Sequence, residues 1–106
     1  MNVQIEITMK NYPGRHPHVA PYRAMIVHIQ FEGGEDLTVN TLVATNPVEI
    51  IEQALDRTVD AIVRNEGEPA DITIILPQEV LLTAGLQSHL TDKYTSDPLV
   101  NSIQFA

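Results

Sequence analysis

The sequence contains no cysteine, so it can form no disulfide, offers no thiol nucleophile and cannot build a zinc site on thiolates. It also lacks any apolar run approaching the ~20 residues that span a bilayer. The opening residues, MNVQIEITMK, alternate in polarity instead of forming the core of a signal peptide. A cytoplasmic protein is the expectation. Basic residues are scarce: 6 Lys and Arg stand against 14 Asp and Glu, a formal net charge of −8. Nucleic-acid binding draws most of its affinity from Lys and Arg neutralising phosphates, so this balance argues against such a partner. It suits first a solvated acidic surface that aids solubility and, as a sharper reading, an acidic face that meets a basic protein. No repeat, low-complexity tract or linker interrupts the 106 residues, which suit one domain (1–106) with a single core.

What is present is clearly patterned. NVQIEITMK sets Val3, Ile5, Ile7 and Met9 against Asn2, Gln4, Glu6 and Thr8, the period of a half-buried strand. A stiff connection follows with Pro13, Pro17 and Pro21, and AMIVHIQFE then places Met25, Val27, Ile29 and Phe31 on one face. Gly33-Gly34 reads as a hairpin turn into a third strand from about Leu37 to Ala44. The period then changes. Ile51, Ala54, Leu55, Thr58, Val59 and Ile62 recur as one helix face, behind an Asn46 cap, Pro47 at the first position and Glu49 as a capping-box residue. DITIIL reads as a central strand covered on both faces, and Pro77 as the start of a second helix with Val80, Leu81, Ala84 and Leu90 as its stripe. LVNSIQFA is a last strand, parallel to DITIIL. The expected fold is α/β (α+β mixed): β-β-β-α-β-α-β, a five-stranded mixed sheet with two helices.

That order resembles the ribonuclease H-like fold. PYRAMIVHIQFEGGEDLTVNTLVATNPVEIIEQAL is similar to that family's first hairpin running into its first helix, with TNPVEI where the family has T-N-N-x-x-E-L and Glu49 at the catalytic glutamate. ADITIILPQEVLLTAGL is similar to its fourth strand and second helix. The resemblance spans roughly residues 3 to 105. It implies a two-metal nuclease built on a cluster of carboxylates, and here the chain departs from the pattern. The first-strand aspartate falls at Lys10 and the fourth-strand aspartate at Leu76, while the helix bearing the last carboxylate has no counterpart before Ala106. A lone Glu49 cannot hold two Mg²⁺ ions. The resemblance therefore implies a nuclease-dead domain without a cofactor.

Other chemistry is thinly signalled. His16 and His18 make an H-x-H pair in the proline connection, but two ligands seldom hold a metal. Ser88, His89 and Asp92 crowd one helix, whereas a hydrolytic triad converges from separate elements. Glu6, Glu49 and Asp71 are the candidates for a rearranged metal site. The primary expectation is a non-catalytic module that binds, and could inhibit, another protein; its size and charge suit a phage or mobile-element factor. The alternative is a hybrid or single-strand nucleic-acid binder using Lys10, Arg15, Arg23 and Lys93. A homodimer through the strand from Leu37 to Ala44, which is uncharged over that span, is a further expectation.

Overall fold

In a computed structural model, residues 1–14, 20, 22–34, 36–42 and 46–106 are described, and of residues 12, 22, 23 and 39–42 the backbone alone. The elements are β1 (Asn2–Tyr12), β2 (Tyr22–Phe31), β3 (Asp36–Leu42), α1 (Pro47–Arg64), β4 (Ala70–Ile75), α2 (Ala84–Thr95) and β5 (Val100–Phe105). The protein is α+β, with a five-stranded mixed sheet in the order β3-β2-β1-β4-β5. Residues 13–21 join two antiparallel neighbours, since Tyr12 pairs with Tyr22 and Val3 with Phe31. β4 runs parallel to β1 and β5 parallel to β4. Both edges of the sheet, β3 and β5, lack a partner strand among the described residues.

Strand alternation sorts the side chains into two faces. Val3, Ile5 and Ile7 of β1, Met25, Val27 and Ile29 of β2, and Ile72 and Ile74 of β4 form one buried cluster with Ile50, Ile51, Ala54, Leu55 and Ile62 of α1 and Leu90 and Tyr94 of α2. Both helices therefore cover the same face. α1 forms as its period predicts: Asn46 Oδ1 accepts from the Val48 amide at 2.9 Å, and Thr58, fully buried, returns its hydroxyl to the Ala54 carbonyl at 2.8 Å. Glu49 lies exposed in the first turn, and among the described residues no hydrogen bond joins it to Asn46. The cap is thus an asparagine cap alone and not a reciprocal capping box.

Three further expectations need correction. β4 is covered on one face only, because both helices sit on the other side from Asp71, Thr73 and Ile75. α2 begins at Ala84 and not at Pro77. The Thr83 hydroxyl caps it by accepting from the Leu86 amide at 3.2 Å, while residues 77–80 close a turn (Val80 N to Pro77 O, 3.0 Å) that sends Val80 into the core. The expected stripe accordingly breaks up, with Leu90 buried, Ala84 exposed and Leu81 90% exposed. The third strand spans Asp36–Leu42, and residues 43–45 lie outside the described residues. β5 contains an irregularity that its composition hides: Ala70 pairs with Val100 but Asp71 with Ser102, so Asn101 is an extra residue. This bulge lets both Val100 and Ile103 reach the core.

Candidate functional site

The face of the sheet away from the helices is mostly polar, with Ala24, Ile26 and Ile75 among its polar residues, and is without a covering element among the described residues. β1 presents Asn2, Gln4, Glu6, Thr8 and Lys10 there, and β4 presents Asp71, Thr73 and Ile75. Glu6 stands opposite His28 of β2 and Ile75 of β4, and His28 Nε2 lies 3.6 Å from Asp36 Oδ2. Asp71 is level with Asn2, and its Oδ1 accepts from the Ser102 hydroxyl at 2.8 Å. Glu6 and Asp71 share this face but sit four residues apart in register, or roughly 13 Å at ~3.3 Å per residue. Glu49 belongs to the helix layer on the other side. The three metal-site candidates do not converge, and among the described residues no group of three or more His, Asp or Glu is placed to hold a metal ion.

The basic candidates are also dispersed. Lys10 is exposed near the end of β1 on the uncovered face. Lys93 is in the helix layer, where its ammonium donates to Glu52 Oε2 at 2.9 Å. Arg23 has its backbone paired with Asn11, its side chain lying outside the description, and Arg15, His16 and His18 lie outside the described residues. Ser88, His89 and Asp92 are exposed along α2.

Two features escaped the sequence. The first is the seam between the helices, where the Tyr94 hydroxyl donates to Asp56 Oδ1 at 3.0 Å, with the Glu52 carbonyl at 3.2 Å as a second acceptor. Burial raises the Tyr94 hydroxyl pKa well above its ordinary value, and the bond to Asp56 and the charges of Asp56 and Glu52 raise it further. Its spacing of four from Leu90 was the available signal. The second is a cleft of about 280 Å³ at the end of the sheet where the β2–β3 turn meets the C-terminus of α1, with Phe31, Glu32, Gly34, Ala61, Ile62 and Gly67 in its wall. NEGEP marked the end of α1 in the sequence, but no local pattern carried the approach of Phe31. No protein-family model matches the chain, and comparison with curated proteins finds no match. Among the described residues, no helix is long and apolar enough to cross a membrane.

Proposed function

We propose that this chain is a non-catalytic interaction module on a ribonuclease H-like sheet, and that its partner is a basic protein. The element order and the mixed strand pairing agree with that fold. The observation that carries the functional reading is the separation of the carboxylates. Glu6 and Asp71 stand roughly 13 Å apart on one face of the sheet, and Glu49 lies across it among the helices. A Mg²⁺ ion needs its ligands at ~2.0–2.1 Å, so these three cannot share one without rebuilding the sheet. Lys10 stands where the resembled family has an aspartate, and a cation there opposes metal binding. The net charge of −8 supports a basic partner.

Affinity capture from a bacterial lysate tests this reading, with a specific protein recovered as the expected result. Recovery of nothing above background, together with a salt-sensitive mobility shift of an RNA–DNA hybrid, would favour the nucleic-acid alternative. That alternative has less support, because Lys10 and Lys93 lie on opposite sides of the sheet and Lys93 is engaged by Glu52. A second copy of the chain is a further partner in this proposal. β3 is an edge strand with one charged residue, Asp36, and among the described residues no strand pairs with its outer side, which suits antiparallel pairing with another β3.

A further inference from the structure

We infer that the cleft beneath the β2–β3 turn receives one apolar side chain of a basic polypeptide, an inference that rests on the interaction reading above. Three observations meet there. The wall is largely apolar, formed by Phe31, Ala61 and Ile62 with Gly34 and Gly67 between them. Its volume of about 280 Å³ falls just below the ~300–1,000 Å³ typical of small-molecule sites, so it suits a single large side chain better than a bulky cofactor. Acidic residues stand at this end: Glu32 lines the cleft, its Oε2 accepting from the Asn2 amide at 2.7 Å, and the exposed Glu66 and Glu68 are the chain neighbours of the lining Gly67. The cations of α1 point elsewhere, since Arg57 and Arg64 line a different depression with Asp60 and Val63. Among the described residues, the cation at this end is the Met1 ammonium, which donates to the Pro69 carbonyl at 3.1 Å. Glu32 in the wall and two exposed glutamates next to Gly67 in the chain, against one ammonium, give this end of the molecule an excess of negative charge beside an apolar floor. This is the complement of a hydrophobic residue flanked by Lys or Arg.

The turn around Gly67 adds to this. Glu66 and Gly67 close α1 by donating to the Val63 and Ile62 carbonyls at 3.3 and 2.9 Å, the pattern in which the first of the two residues is usually glycine. Here the first is Glu66, at φ 51°, a left-handed conformation that disfavours a side chain. An exposed glutamate thus stands next to the cleft-lining Gly67 at a position where glycine would fit more easily.

The test is an NMR titration of the isotope-labelled full chain, at low ionic strength, with three end-blocked pentapeptides. One has phenylalanine between two pairs of lysines, the second has alanine in the centre, and the third has glutamates in place of the lysines. The first should shift the Phe31, Ile62 and Gly67 amides and bind roughly tenfold or more tighter than the alanine peptide, with the glutamate peptide weaker still. Gly34→Leu should weaken binding by filling the cleft; a Cβ at Gly34 meets only the Phe31 Cβ, at 3.9 Å, so the fold accommodates it. Glu66→Gly should melt at a higher temperature yet bind the basic peptide more weakly, a combination that a purely structural role would not produce. Equal binding of the three peptides, or none, overturns the inference. Shifts confined to the uncovered sheet face overturn the cleft as the site while leaving the interaction reading in place. Binding of an RNA–DNA hybrid with no binding of any peptide removes both.

Discussion

Truncating Leu90 to alanine tests how α2 is held. Leu90 is 0% exposed, and only Leu90 and Tyr94 of that helix are buried. Burying a leucine fully stabilises by ~1.5–3 kcal/mol, and the unfilled cavity adds to the loss, which gives ~2–5 kcal/mol for such truncations. Because α2 packs beside the edge strand β5, partial collapse around the gap places the expected loss near ~3 kcal/mol. A domain of this size has ~5–15 kcal/mol in total, so the variant should remain folded but melt roughly 12–20 °C lower. Alanine is the better helix former, so a backbone effect would act in the opposite direction. The control is Leu86→Ala in the same helix, where the side chain is 39% exposed and a change of no more than ~0.5 kcal/mol is expected. Urea unfolding followed by circular dichroism measures both. A Leu90→Ala loss below ~1 kcal/mol with an unchanged m value would refute docking through this residue.

Three other predictions concern different levels of the structure. The Tyr94 hydroxyl has a folded pKa above its ordinary 10.0, so its contribution is complete below pH 10 and is lost as pH rises past that value, where the unfolded chain releases the proton and the folded one retains it. Unfolding free energy of the native chain should therefore fall more steeply above pH 10 than that of Tyr94→Phe, by up to ~1.4 kcal/mol per pH unit; parallel curves would contradict the seam geometry. If β3 pairs with a second β3, light scattering at micromolar concentration should give twice 11.8 kDa, and Thr38→Lys should restore the monomer. A native mass of 11.8 kDa would rule out the dimer. Incubation of a labelled RNA–DNA hybrid with Mg²⁺ or Mn²⁺ should leave it intact, and cleavage that disappears in Glu49→Gln would overturn the non-catalytic reading.

Much of the fold was legible because its signals are local. The alternation of Val3, Ile5 and Ile7, the proline connection between two antiparallel strands and the Asn46-Pro47 start of α1 depend on neighbours within a few residues. The candidate site was less legible. Glu6 could be assigned to the polar side of its strand, but Asp71 began a run read as covered on both faces, and their distance apart depends on the parallel register of β1 with β4, which nothing in either segment specifies. In α2 the local signal misled: Pro77 is a good first helical residue, but burial of Val80 in the core bends residues 77–80 into a turn and leaves capping to Thr83.

The sequence by itself determined the order and type of the elements, the apolar face of α1 and the excess of negative charge. These follow from side-chain chemistry and from periods of 2 and 3.6 residues along the chain. Only the tertiary structure decided that both helices cover one face, that Asn101 bulges so that Val100 and Ile103 both face inward, and that Glu6, Glu49 and Asp71 stay apart. It also decided that Phe31 and Gly67, thirty-six positions apart in the chain, border one cleft. Such outcomes depend on which distant surfaces exclude water together, and that free energy belongs to the packed molecule and not to any segment of it.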